Sequence, residues 1–306
     1  MPMDPTAPPT VPPPPDDTAT FAALRPRLFA IAYRMLGTRA DAEDLVQDAW
    51  LRWHRTPDKA ALQSAEAWLV TTVTRLAIDR LRAAKTEREA YIGWWLPEPL
   101  VAAVDERTPE AALALAGELS LAFLWVLERL TPDERAAFLL RQVFDHDYAE
   151  IATMLGRSEA ACRQLVHRAS ERVQQQRPRF EVPPARHRQL LERFMHAAHT
   201  GAHAQMKALL ADDVQLLGDG GGKVPSFGHV LEGPERVTNL YWAQWKRLGE
   251  QVRYRLVSLN GEPGLLRYVS GRLESAQAFV IDDQGRIAAI YAVRNPDKLA
   301  GIPGEL

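Results

Sequence analysis

The chain carries a single cysteine, Cys162, among 306 residues, which excludes an internal disulfide and a thiolate-built zinc site and fits a reducing cytoplasm. No metal centre and no cofactor are expected. It also lacks a long apolar run. The greasiest stretch, "LSLAFLWVLERL", is bounded by Glu118 and broken by Glu128, too short and too charged to cross a bilayer. No basic-then-apolar segment leads to a small-residue cleavage site at the start, so a soluble, unexported protein with no membrane partner is expected. Charge of one sign is missing too: 37 Lys and Arg against 39 Asp and Glu leave −2. A charged partner must therefore be sought segment by segment. Residues 1–20 hold eight prolines and no aromatic ring and cannot bury enough apolar surface to order themselves, which predicts a disordered tail.

What is present is a 46% hydrophobic composition over a length suited to about two ordinary domains. In residues 21–90, apolar side chains recur at helical spacing: Leu28, Ile31, Ala32 and Met35, then Leu45, Ala49, Trp50 and Trp53. Two amphipathic helices meet near Gly37. The second puts Asp41, Asp44 and Asp48 on one face opposite its tryptophans. Such a face reads as a solvated surface with acids at the favourable end of the helix dipole. The next helix buries Trp68, Leu69, Val73, Leu76 and Leu81 and sets Arg75, Arg80, Arg82, Lys85 and Arg88 around the rest. Ion pairing with Asp79, Glu87 and Glu89 is one reading of those cations. The other is binding of single-stranded DNA, which needs cations for phosphates and flat groups for unstacked bases.

Taken whole, "DAEDLVQDAWLRWHR" followed by "WLVTTVTRLAIDRLR" resembles region 2 of a bacterial sigma factor of the extracytoplasmic-function group. The resemblance implies that Asp41, Asp44, Leu45, Gln47 and Asp48 contact core RNA polymerase at the β′ clamp coiled coil. It also places Arg75, Asp79, Arg80, Arg82 and Lys85 at or beside the minus-ten promoter element.

A proline-punctuated linker, residues 91–110, follows, and helical periodicity resumes at Leu113 in a second block, residues 111–177. Thr131 with Glu134 forms a capping-box pattern and Pro132 suits the first turn. In "DYAEIATMLGRSEAACRQLVHRASERV", Ile151, Met154 and Leu155 make one apolar side, Gly156 the turn, Ser158 a cap, and Leu165 and Val166 an anchor, a helix-turn-helix pattern. Six arginines from Arg157 to Arg179 face Glu159 and Glu171. Arg and Gln make bidentate contacts to base edges in the major groove; the plainer reading is a basic hairpin that only packs. The block resembles sigma region 4, which implies docking on the β flap and reading of the minus-thirty-five element by Ser158, Glu159, Ala161, Arg163, Gln164, His167 and Arg168. Cys162 on this helix is read as a small apolar residue before a redox switch.

Residues 178–294 give helices joined at Gly201, one strand, a further helix, and strands separated by Asn-Gly, Ser-Gly and Asp-Gln-Gly turns. Helices first and then a curved antiparallel sheet predict an α+β cone, and the segment is similar to the SnoaL-like fold. Some members of that fold are cyclases or isomerases, and His196, His199, His203 and His229 keep an acid-base option open, yet no carboxylate-histidine spacing enforces proximity. No catalytic residue is assigned. The fold class is thus multidomain: two all-α sigma domains followed by an α+β SnoaL-like cone.

The stretch "LLGDGGGKVP" looks like a phosphate-binding loop, but Lys223 is followed by Val224 where a P-loop needs Ser or Thr. Consecutive glycines instead suggest close approach of another surface. "WLPEP" (Trp95, Leu96, Pro97, Glu98, Pro99), "DGGGK" (Asp219, Gly220, Gly221, Gly222, Lys223) and "NPDKL" (Asn295, Pro296, Asp297, Lys298, Leu299) match the motifs of the sigma subgroup with a fused SnoaL-like domain. The resemblance implies a regulator built into the chain, with the glycine loop and the tail, residues 295–306, packed near the linker. The alternative is a DNA-binding regulator whose cone binds or converts a small hydrophobic ligand.

Overall fold

The computed structural model describes residues 17–102, 119–176 and 182–304 apart from Asp58, Gln63 and Pro303. Four helices form the first block: α1 (Asp17–Leu36), α2 (Arg39–Arg55), α3 (Ala65–Ala83) and α4 (Lys85–Glu89). Helix α1 begins at Asp17, inside the stretch expected to be disordered. The cause is Phe21, which is buried with its ring 4.9 Å from that of Trp50 and gives this end the apolar anchor that the preceding prolines lack. Gly37 closes α1 with φ +76°, a conformation that costs glycine nothing and lets α2 fold back.

The second block comprises α5 (Leu121–Leu127), α6 (Pro132–Gln142), α7 (Tyr148–Leu155) and α8 (Glu159–Gln176). The capping box at Thr131 and Glu134 is formed, and a second one joins Asp147 to Glu150. Gly156 ends α7 in the left-handed conformation, φ 64°. The helical periodicity expected from Leu113 onward lies outside the described residues as far as residue 118. One continuous apolar cluster joins the two blocks, with Leu28, Ile31, Leu69 and Val73 from the first and Leu124, Leu127, Leu139 and Ile151 from the second.

The C-terminal part contains α9 (Pro184–Thr200), α10 (His203–Ala208), β2 (Leu210–Asp219), β3 (Leu231–Glu232), α11 (Pro234–Leu248), β4 (Val252–Leu259), β5 (Glu262–Val269), β6 (Arg272–Ile281), β7 (Ile287–Val293) and α12 (Pro296–Leu299). A two-residue strand of the linker, β1 (Val101–Ala102), joins its sheet at the edge, Val101 opposite Leu259 and Ala102 opposite Ser258. The sheet order is β1-β4-β5-β6-β7-β2-β3. The sheet is mixed and not wholly antiparallel as expected, because β2 runs parallel to β7. The chain from β3 to β6 lies between those two strands, ample for the crossover that parallel pairing needs.

Both faces of this sheet are covered. Helices α9, α10 and α11 fill the concave face around Phe194, Met206, Val237, Tyr241, Phe279 and Ile290. The other face packs Leu217, Leu266, Tyr268, Tyr291 and Val293 against Leu96 of the linker, Leu121 and Ala122 of α5, and Leu299 of the tail. Helix α5 is therefore apolar all round for a reason: Leu121 and Ala122 face the cone while Phe123, Leu124 and Leu127 face the helical core. At about 1.5–3 kcal/mol for each large apolar side chain buried, this seam holds the second block against the cone.

Candidate polymerase, promoter and interdomain surfaces

Helix α2 presents its acids as the spacing required. Asp44, Gln47 and Asp48 are exposed and Asp41 is half-buried. Leu45 is not part of that surface: it is 1% exposed inside the helical core, since it lies on the same stripe as Ala42, Ala49 and Trp53. Sequence reasoning carried it over with its neighbours, and the helical period puts it at the border between the acid face and the apolar stripe, where the packing of the block turns it inward.

The cations of α3 and α4 named above all have acidic or carbonyl partners. Arg75 donates from Nε to the carbonyl of Met154 at 2.8 Å and from Nη2 to that of Thr153 at 3.1 Å, so it caps the last turn of α7 where the helix dipole is negative. Arg80 reaches Asp41 at 2.7 Å and Asp44 at 3.6 Å. Arg82 forks onto both oxygens of Asp133, 3.0 and 3.2 Å, and lies 3.9 Å from exposed Asp79. Lys85 sits on the exposed surface 3.7 Å from Glu89. Arg88 is sunk between the blocks: it pairs with Glu128, donates to the Leu36 carbonyl at 2.7 Å and lies over the Trp95 ring at 4.9 Å. Burial lowers its pKa, partly offset by Glu128. Arg135, 2% exposed, completes the joint by donating to Glu128 at 2.9 Å and to the Met35 carbonyl at 2.6 Å.

On α8, Ser158 is the cap that its position suggests, its Oγ accepting from the Ala161 amide at 3.2 Å. Glu159, Arg163, Gln164, His167 and Arg168 are exposed and Ala161 is half-buried. Arg163 is held by Glu159 at 2.7 Å and lies over the Tyr148 ring at 5.0 Å. Arg168 and Arg172 converge on buried Glu134, at 3.1 and 2.7 Å. Burial pushes that carboxyl up, but its bonds from Thr131 and the two arginines outweigh burial and hold it below the usual range. Cys162 is fully buried, and burial raises its thiol pKa, which makes it an inert packing residue.

The three motifs meet around one buried carboxylate. Asp219, 0% exposed, accepts from Tyr91 Oη at 2.5 Å and from the Gly221 amide at 3.0 Å through one oxygen. Its other oxygen takes the Leu96 amide at 3.0 Å and Lys298 Nζ at 2.7 Å. Lys298 also donates to the Leu96 carbonyl at 2.6 Å and stands 3.5 Å over the Trp95 ring. Asn295 donates to Tyr91 Oη at 2.9 Å and caps α12 through the Asp297 amide. Lys223 pairs with Asp297 at 2.5 Å on the surface above. The glycines have the expected reason: a Cβ on Gly221 would lie 2.4 Å from Asn295 Nδ2, and one on Gly222 would meet Ile92 at 3.0 Å. Pro97 and Pro99 are buried, Trp94 and Trp95 half-buried, and Gly220 buried; Glu98 accepts from the Arg39 amide at 2.8 Å through its side chain.

Several residues of this joint have no counterpart among the expected ones. Tyr33 of α1 donates to the Glu98 carbonyl at 2.5 Å and accepts from Asn260 Nδ2 at 2.8 Å. Asn260, at φ 54° in the β4–β5 turn, exchanges bonds with both backbone groups of Leu100. The Asn-Gly pair signals the hairpin, but nothing local says that its amide reaches another domain. Inside the cone, a cavity of about 30 Å³ lies among Tyr241, Arg267, Glu274, Ser275 and Gln277, room for one or two waters. His196, His199, His203 and His229 do not line it. Among the described residues there is no group of three metal-ligating side chains and no helix long and apolar enough to cross a membrane.

Comparison with known proteins accounts for this architecture. Residues 20–87 match the Sigma-70 region 2 family and residues 120–173 the Sigma-70 region 4 family. The chain is 39% identical over 297 residues, 94% of each chain, to the ECF RNA polymerase sigma factor SigJ of Mycobacterium tuberculosis. It belongs to the extracytoplasmic-function sigma factors. A second relative of this family, a probable ECF RNA polymerase sigma factor SigI of the same species, is 32% identical over 94% of this chain and 97% of its own. The crystal structure of SigJ superposes with a TM-score of 0.77 at 37% identity, covering 94% of this sigma factor and all of that SigJ chain, so the two share helical domains followed by a mixed-sheet domain.

Proposed function

We propose that this sigma factor docks on core RNA polymerase through Asp41, Asp44, Gln47 and Asp48, reads the minus-ten element with Arg75, Asp79, Arg80, Arg82 and Lys85, and reads the minus-thirty-five element from Ser158 to Arg168. The cone acts in cis as the regulator of that activity by fixing the linker. A single observation carries the regulatory part. Asp219 of the cone, Lys298 of the tail and Leu96 of the linker share one buried ion-pair and hydrogen-bond cluster, which ties the described part of the linker, as far as Ala102, to the cone.

The physical logic is that of two weak modules on one chain, where affinity for a composite site depends on their spacing. A linker that is free varies that spacing; stitching residues 96–102 to a sheet edge by β1 and to Asp219 narrows it. Promoter-specific transcription with purified core polymerase tests this: Lys298→Met should change promoter output while core binding persists, and unchanged output would remove the cone from the regulation. The alternative, a cone that binds or converts a small ligand, has about 30 Å³ to work with in the cavity among Tyr241, Arg267 and Gln277; the larger clefts, about 530 and 420 Å³, lie along the tail and the glycine loop.

A further inference from the structure

The concave face of the sheet is apolar at depth and polar toward one end. Strand alternation turns Leu265 and Arg267 of β5, and Ser275, Gln277 and Phe279 of β6, toward the covering helices, with Leu266, Tyr268, Ala276 and Ala278 on the opposite face. Glu274 joins the first group through an irregularity in the pairing. Arg267 lies opposite Ser275 and Tyr268 opposite Leu273, so Glu274 is an extra residue with no partner across the ladder. A bulge of this kind re-aims a side chain. Here the Glu274 carboxylate takes Arg267 through one oxygen and Arg294, just past β7, through the other.

Two guanidinium groups thus share one carboxylate, and these three are the charged residues among those lining the cavity. One positive charge is left over. Arg294 is 28% exposed and has solvent and the Pro225 carbonyl to lean on; Arg267, 4% exposed, does not. Burial works against the charge of Arg267, but Glu274 outweighs burial and raises its pKa. The hydrogen bonds run in the same sense. Tyr241 donates to Gln277 Oε1 at 3.0 Å and Gln277 Nε2 donates to Ser275 Oγ at 3.0 Å, which leaves the Ser275 O–H with no acceptor among the described residues. The Nε atoms of Arg267 and Arg294 are likewise buried without a partner among them. Each buried group left unpaired costs about 1–3 kcal/mol, so three unspent donors beside a surplus positive charge fit an anion.

We propose that this cavity is a binding site for a small monovalent anion, chloride or the carboxylate head of a short acid, gripped by Arg267, Arg294 and Ser275. Its volume of about 30 Å³ takes a body of roughly one to three heavy atoms, too little for sulfate or phosphate. Water satisfies the donors and leaves the charge; an anion answers both. The site belongs to the cone alone and is independent of how the helical blocks meet polymerase and promoter.

The test uses the full chain in a chloride-free gluconate buffer. Chloride or formate should raise the melting temperature along a saturable curve, and calorimetric titration should count one anion per chain, whereas sulfate and further gluconate at equal ionic strength should do neither. Tighter binding of formate than of chloride identifies a carboxylate site, and the reverse order a halide site. Arg267 stays in place, since removing it strands Glu274 and tests folding instead. Ser275→Ala, which takes away one donor to the anion, should weaken binding about tenfold. Glu274→Gln enlarges the surplus positive charge and should tighten it, a direction that loss of a purely structural ion pair does not produce. Equal effects of formate and gluconate, or affinities that neither substitution moves, would overturn the site and leave water as its occupant.

Discussion

Lys298 Nζ lies 2.7 Å from Asp219 Oδ2, with side-chain exposures of 5% and 0%. Burial lowers the pKa of Lys298, while Asp219 pulls it back up. The lysine gives up solvation for one carboxylate, one linker carbonyl and the face of Trp95.

Removing one member of such a pair leaves the other charge uncompensated. Lys298→Met should cost about 3–5 kcal/mol in urea unfolding, nearer the lower figure, because Asp219 retains Tyr91, Leu96 and Gly221 as donors. Adding Asp219→Asn should recover much of the loss. Strictly additive losses would show that the two side chains do not act as a pair.

The glycine loop makes a sharper demand. At φ 61° and with a virtual Cβ 2.4 Å from Asn295 Nδ2, Gly221→Val meets both backbone strain and a clash. We expect Asn295–Leu299 to detach, seen as faster proteolysis of the tail, together with altered promoter output. A tail as protected as in wild type would mean that the loop yields cheaply.

How far this joint was legible follows from distance along the chain. Caps, turns and stripes are local, so Thr131–Glu134, Gly156 and the α2 acid face appear where periodicity put them. The glycines announced a close approach but not its occupant. Tyr33, Asn260, Glu128 and Asp133 gave no signal, because each is an ordinary residue in its own element and gains its role in the joint from a partner in another domain. Leu45 shows the reverse error: membership of a motif is not exposure, and at the border of the acid face its burial is decided by the packed core.

The docking ridge therefore needs a substitution that respects this division. Asp44→Arg with Asp48→Arg changes exposed side chains outside the core and should abolish capture by core polymerase with little change in melting temperature. Capture at wild-type affinity would end the docking assignment. Leu45→Ala is the control for packing and should cost about 2–5 kcal/mol of stability.

On the helix-turn-helix, Arg163 is exposed and its partners among the described residues are Glu159 and the Tyr148 ring, so it can turn to a base edge at little cost. Arg163→Ala should lower discrimination between matched and mismatched minus-thirty-five sequences by about 1–3 kcal/mol. Weakening that is equal on all sequences would make it a phosphate contact instead.

His187 offers a prediction on pH. It is 6% exposed on α9, its Nε2 finds no partner among the described residues, and burial drops its pKa from 6.5 to about 4. The folded chain thus keeps it neutral where the unfolded chain binds a proton. Between pH 6.5 and 4 the unfolded state holds more protons, so stability is full above 6.5 and falls as the solution is acidified toward 4. At about 1.4 kcal/mol per pKa unit, the loss attributable to this one group is at most about 3.5 kcal/mol. His187→Phe keeps a ring in the space and removes the proton site, so its urea unfolding free energy should vary less across this window than that of wild type. Parallel pH profiles for the two proteins would show that the imidazole is solvated enough to titrate in place.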